Sequence, residues 1–160
     1  MSFESALAGR FVVFHGSAPV SKLIQYGTSS RDNHAAILLG DGTLVEALGA
    51  GIKRNPIKDY SSKDMSVSHM DLNPVIASGI TSFALAQVGK GYNFPGILAI
   101  ALDQLGLKPD WVDQWAQHDG RWFCSQLVAA AYLSQGITLV EGKQPWEVTP
   151  GDLGYLIEHS

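Results

Sequence analysis

The first half of the chain alternates short apolar runs with glycine, proline and small polar residues, which is the pattern of a small antiparallel sheet. Each run is long enough for one strand only. The predicted strands cover residues 11–14, 35–39, 43–47, 52–57 and 66–72. The second and third of these runs flank Gly40-Asp41-Gly42, which favours a β-hairpin.

The second half carries helical signals instead. Asn73-Pro74 opens a predicted helix that continues to about Val88 and stops at Gly89. Further helices are predicted at 20–26, at 97–107, at 109–120 as a helix or turn, and from Cys124 to Gly136. Turn signals follow at 142–145 and 150–152. Strands precede helices for the most part, so we expect an α+β fold in one domain over residues 1–160.

Composition narrows the class of protein. The 160 residues are 46% hydrophobic and 16% charged, and the net charge is −4. A folded domain with this charge is a poor candidate for general nucleic-acid binding. The apolar run at 97–107 is too short and too polar to cross a membrane. The N-terminus does not resemble a signal peptide, so we expect synthesis in the cytoplasm, and delivery to a cell wall would need another route.

Cys124 is the single cysteine of the chain, which excludes an internal disulfide and a cysteine-based zinc site. It lies where a helix is predicted to begin, and the positive end of a helix favours a thiolate. A thiolate is a good nucleophile at neutral pH, so the position indicates a cysteine hydrolase or acyltransferase. The alternative is that Cys124 is a small buried hydrophobic residue.

A cysteine nucleophile requires a base, and His34, His69 and His15 all lie on or beside predicted strands. Glu46 favours His34, because it is the one acid inside an apolar strand and needs a partner there. A two-residue hairpin turn would turn Glu46 away from His34. A three-residue loop would place Glu46 opposite Ala36, on the face of His34 and roughly 7–8 Å from it. Glycine at the third loop position favours this second register.

Several segments resemble the NlpC/P60 superfamily of papain-like cysteine peptidases, in its circularly permuted, YiiX-like branch. The ordinary branch has the pattern G-x-P-Y-x-x-G-G before a loop and D-C-S-G-L-V at the helix. Residues 89–96 are similar to the first pattern, with Gly91 in place of proline, and residues 123–128 to the second. His34 precedes the cysteine helix, as in the permuted branch, and Val45-Glu46-Ala47 and residues 149–153 are also similar to it.

The resemblance implies a permuted papain-like fold, with a small antiparallel sheet packed against helices. It implies that Cys124 is the nucleophile, His34 the base and Glu46 the residue that orients it, with Tyr92 near the oxyanion. No metal or cofactor is then required. The implied activity is that of a cysteine peptidase or amidase, a thiol hydrolase acting on small peptides or peptidoglycan stem peptides.

Two other functions remain open. A lipid acyltransferase or lipid-amide hydrolase of the same fold would use the same residues, and the apolar segment 97–107 with Trp111, Trp115 and Trp122 would suit an acyl chain or an ordinary core. A catalytically silent binding module is the third possibility, and the presence of cysteine, histidine and glutamate together argues against it. The substrate is therefore a small peptide, a peptidoglycan fragment or an acyl compound.

Overall fold

The computed structural model describes residues 5–16, 32–93, 95–96, 98, 102–103, 105–107 and 120–160. The predicted helix at 20–26 lies outside the described residues, and so do residues 97, 99–101 and 104 of the segment at 97–107. Residues 109–119, with Trp111 and Trp115, also lie outside them. Among the described residues, no helix has both the length and the apolar character that crossing a membrane requires.

Within the described residues, five strands form one antiparallel sheet, in the order β4-β3-β2-β1-β5. They are β1 Phe11–His15, β2 Asp32–Leu38, β3 Thr43–Leu48, β4 Gly51–Pro56 and β5 Met65–Val67. The last strand is shorter than predicted. Its pairing ends where the Ser68 N–H donates to the Phe11 carbonyl, because β1 begins at Phe11 and offers no partner beyond it.

The β2–β3 hairpin has the register that a three-residue loop requires. Ala36 pairs with Glu46, and the Leu39 N–H donates to the Thr43 carbonyl at 3.0 Å. Gly42 has a φ of +82°, a left-handed conformation that a residue with a side chain rarely adopts. The register prediction is therefore confirmed, and Glu46 shares a face with His34.

Three helices of the described chain follow the sheet, namely α1 Pro74–Gln87, α2 Cys124–Leu133 and α3 Pro150–Glu158. α1 opens at Asn73-Pro74 as predicted, and the Asn73 side chain caps it by accepting from the N–H groups of Val75 and Ile76. The prediction of a turn at 150–152 is wrong. Pro150 occupies the first position of α3, where its missing N–H costs nothing, and Thr149 and Asp152 cap each other across the first turn.

The main core lies between one face of the sheet and α2. Leu127, Val128 and Tyr132 of α2 are fully buried there. The Tyr132 hydroxyl donates to the Gly9 carbonyl at 2.7 Å, and its ring meets Phe11 edge to face. A smaller cluster covers the other face of the sheet around Phe14 and Leu44.

Candidate active site

Cys124 is the first residue of α2, and its thiol is a free, buried side chain. Phe123 precedes it in an extended conformation, and its N–H donates to the Gln126 side chain, which also accepts from the Asn93 amide at 2.9 Å. The next residue, Ser125, donates its hydroxyl to the Val148 carbonyl at 2.6 Å. Ser125 is therefore committed to holding the helix, and Cys124 is the residue at this helix start with nucleophilic chemistry.

His34 and Glu46 form a buried pair on neighbouring strands. The distance from His34 Nε2 to Glu46 Oε2 is 2.6 Å, and the two side chains are 5% and 0% exposed. Phe14 stacks on the imidazole with ring centroids 5.5 Å apart. The hairpin register thus brings the two predicted residues together, and the aromatic contact fixes the ring plane.

Two further residues hold the other oxygen of Glu46. Asn55 Nδ2 donates to Oε1 at 2.7 Å, and the Tyr60 hydroxyl donates to the same oxygen. Burial alone would raise the pKa of Glu46, but the hydrogen bonds from His34, Tyr60 and Asn55 outweigh it and hold the pKa below its usual value. Burial and the adjacent carboxylate raise the pKa of Tyr60, so the phenol stays a donor.

Sequence reasoning missed both donors. Asn55 had a detectable signal, since it is a polar residue of β4 paired with Leu44 and therefore diagonal to Glu46. Tyr60 ends the 3₁₀ turn Ile57–Tyr60, where no periodicity indicates which way a side chain points.

The thiol of Cys124 interacts with the imidazole of His34. Burial lowers the pKa of His34, but the hydrogen bond and charge of Cys124, together with those of Glu46, raise it to about 9. Nδ1 of the ring is buried and has no hydrogen-bond partner in the described part of the chain. Since Nε2 faces Glu46, Nδ1 is the ring nitrogen left to face Cys124.

Tyr92 lies close to the thiol. A short parallel bridge joins Tyr92 to Trp122, with the Trp122 N–H donating to the Gly91 carbonyl at 3.1 Å. Burial and the charge interaction with Cys124 both raise the pKa of Tyr92, so its phenol is neutral. The structure therefore brings Cys124, His34, Glu46 and Tyr92 into one buried region.

The other described histidines have different surroundings. His15 contacts Asp32 and Ser66, His69 is exposed, and His159 stacks on Tyr155. His118 lies outside the described residues. Within the described ranges, no group of three or more histidine, cysteine, aspartate or glutamate side chains is arranged to hold a metal ion.

Comparison with known proteins gives one informative relative. No family model matches the chain. The chain is 28% identical over 170 residues to the probable lipoprotein peptidase YaeF of Escherichia coli (strain K12). The similarity covers 91% of this chain and 62% of the relative, so the chain spans about three fifths of that protein's length. This is a distant homology that runs through nearly the whole chain.

Proposed function

We propose that the chain is a cysteine peptidase with a permuted papain-like fold, in which Cys124, His34 and Glu46 act together. The observation that carries the proposal is the buried His34–Glu46 pair, 2.6 Å apart, beside a cysteine at the first position of a helix. The distant homology to a probable peptidase supports the same reaction class. The α+β arrangement, with the histidine strand before the cysteine helix, supports the permuted fold.

The mechanism is acyl transfer through a thioester. His34 is protonated at neutral pH, as its pKa of about 9 implies, and an imidazolium beside the sulfur favours the thiolate. The sulfur of Cys124 attacks the substrate carbonyl carbon, and His34 then protonates the leaving amine. Water, deprotonated by His34, hydrolyses the thioester. Glu46 orients the imidazole through Nε2 and keeps Nδ1 directed at the sulfur.

Charge that develops on the substrate oxygen needs donors. The N–H groups in the first turn of α2 have no acceptor inside the helix, and they lie beside Cys124. The neutral phenol of Tyr92 is a further donor candidate at the same place. We assign it to the oxyanion site as part of this proposal.

The proposed substrates are small peptides, including γ-linked peptidoglycan stem peptides. An acyl substrate is the second candidate, because Leu98, Leu105 and Leu107 are exposed in the segment between Tyr92 and Cys124. Exposed leucines in a long insertion of this kind can contact an acyl chain.

Turnover of a γ-linked stem peptide, compared with that of a medium-chain acyl ester, tests the proposal. We expect peptide cleavage by the wild type and a loss of at least about 100-fold in Cys124→Ala and His34→Ala. His69→Ala is the matched control, since His69 is exposed and should leave the rate unchanged. Cleavage of the ester alone, with the ester activity lost in Cys124→Ala, would move the protein to the acyl class, and cleavage of neither would indicate a silent binding module.

A further inference from the structure

A second polar site lies where α3 approaches β1, β2 and β5, with Asp32 two residues before His34 on β2. A cavity of about 460 Å³ opens there, within the size range of small-molecule sites. None of the residues assigned to the cysteine site lines it. The lining includes His15, Asp32, Asp64, Ser66, Gly151 and Glu158.

Three of these side chains form a hydrogen-bonded series. His15 Nδ1 is 2.6 Å from Asp32 Oδ1, and His15 Nε2 is 2.8 Å from Ser66 Oγ. In the neutral ring, the carboxylate at Nδ1 favours the proton on that nitrogen, and Nε2 then accepts the hydrogen bond from the serine hydroxyl. Serine to histidine to aspartate in this order is the arrangement that activates a serine nucleophile.

Strand pairing and close helix packing position the three residues. Ser66 pairs with Val13 across the β1–β5 ladder, and a register irregularity after Phe14 brings Asp32 opposite His15. A Cβ placed on Gly154 of α3 would lie 1.8 Å from Asp32 Oδ2. The helix backbone therefore packs directly against the carboxylate, and only glycine leaves room for it.

We propose that Ser66, His15 and Asp32 form a second nucleophilic site, which hydrolyses small esters independently of Cys124. Ser66 Oγ attacks the ester carbonyl carbon and transfers its proton to His15 Nε2. His15 then protonates the leaving alkoxide as the C–O bond breaks. Water, deprotonated by His15, cleaves the acyl-serine and restores the hydroxyl.

The cavity lining also supplies a donor for the oxyanion and charges that select the substrate. Gly151 is the second residue of α3, where the backbone N–H has no acceptor inside the helix, and it lines the same cavity. Asp64 and Glu158 add carboxylates to the lining. These charges disfavour an anionic acyl group, so the substrates are neutral or cationic esters.

Labelling with an uncharged fluorophosphonate, located by peptide mass spectrometry, tests the site. We expect one adduct on Ser66 in both the wild type and Cys124→Ala, no adduct in Ser66→Ala, and labelling at least about 10-fold slower in His15→Gln. Ser61→Ala, at an exposed serine, is the matched control and should label normally. Absence of a Ser66 adduct in the wild type overturns the proposal whether or not the variants fold.

Ester hydrolysis in the Cys124→Ala background separates this site from the cysteine site. We expect p-nitrophenyl acetate to be hydrolysed, and the rate to fall at least about 10-fold in Ser66→Ala and in Asp32→Asn. The anionic p-nitrophenyl monoester of succinate should be hydrolysed more slowly than the acetate. Equal labelling rates in the wild type and His15→Gln would show that Ser66, His15 and Asp32 have only a structural role. Loss of ester hydrolysis in Cys124→Ala would show the same. Faster hydrolysis of the anionic ester would overturn the substrate class.

Discussion

At the scale of single residues, Glu46 has the most demanding surroundings of the cysteine site. It is fully buried, and it accepts hydrogen bonds from His34, Asn55 and Tyr60. A buried carboxylate without such donors would take up a proton. The donors therefore keep Glu46 ionised, and an ionised Glu46 stabilises the imidazolium of His34.

Tyr60→Phe should raise the pKa of Glu46, because it removes one donor to the carboxylate and leaves the ring packing on Phe14 intact. A lowered pKa stabilises the fold above the unfolded value near 4.5, and that stability is lost as the pH falls. We expect the variant to lose about 1–3 kcal/mol at pH 7 and less at pH 4, measured by urea unfolding. Since Glu46 would then take up a proton at a higher pH, the loss of peptidase activity on the acid side of the pH profile should begin at a higher pH.

The control for this prediction is Tyr155→Phe, since Tyr155 is exposed and lies outside the cysteine site. An unchanged acid side of the pH profile in Tyr60→Phe would contradict the role given to Tyr60 as a positioning residue.

The raised pKa of His34 predicts that the folded protein loses stability at alkaline pH. Its folded pKa of about 9 lies above the ordinary value of 6.5, so the stability it contributes is complete below pH 6.5 and is lost as the pH rises through 9. The difference in unfolding free energy between wild type and His34→Gln should therefore shrink over that interval, by up to about 3 kcal/mol.

Cys124→Ala is the informative comparison for this pH dependence. The thiol contributes to the raised pKa of His34, so the alkaline loss should be smaller in that variant. A difference that grows with pH would mean that His34 is held neutral.

At the scale of elements, α2 determines where the nucleophile lies. Its inner face is buried on the sheet, and Leu133 near its end is 44% exposed. Leu127 of the same helix is fully buried, so the two leucines differ in their packing. The position of Cys124 depends on the packing of Leu127.

Leu127→Ala should cost about 2–5 kcal/mol in unfolding free energy, because it leaves a cavity in the main core. Leu133→Ala should cost less than about 1 kcal/mol, because the leucine is already in contact with solvent. Urea unfolding of the two variants measures the difference directly. Equal losses would mean that α2 does not pack on the sheet as described.

At the scale of the whole molecule, local signals predicted most of the sheet and the pairing of His34 with Glu46. The hairpin could be predicted because the glycines of its loop select one register, and register decides which face a side chain occupies. The start of α1 could also be predicted from local signals, since the Asn73 side chain and Pro74 act within the first turn of the helix.

Features that depend on distant contacts could not be predicted. β5 ends early because β1 offers it no further partner, and Tyr60 reaches Glu46 from a turn. The start of α3 failed for a different reason. Proline, glycine and aspartate at 150–152 suit a turn and the first turn of a helix equally well, and the reciprocal cap with Thr149 decides between them.

The central claim is that His34 activates Cys124, and the rate of iodoacetamide alkylation at pH 6 tests it most directly. We expect wild-type Cys124 to react faster than a free thiol such as glutathione at that pH, with the mass increase located on Cys124. His34→Ala should lose most of this advantage, whereas His69→Ala should keep it. Equal rates in the wild type and His34→Ala, or a Cys124 that does not react while the protein is folded, would contradict the account.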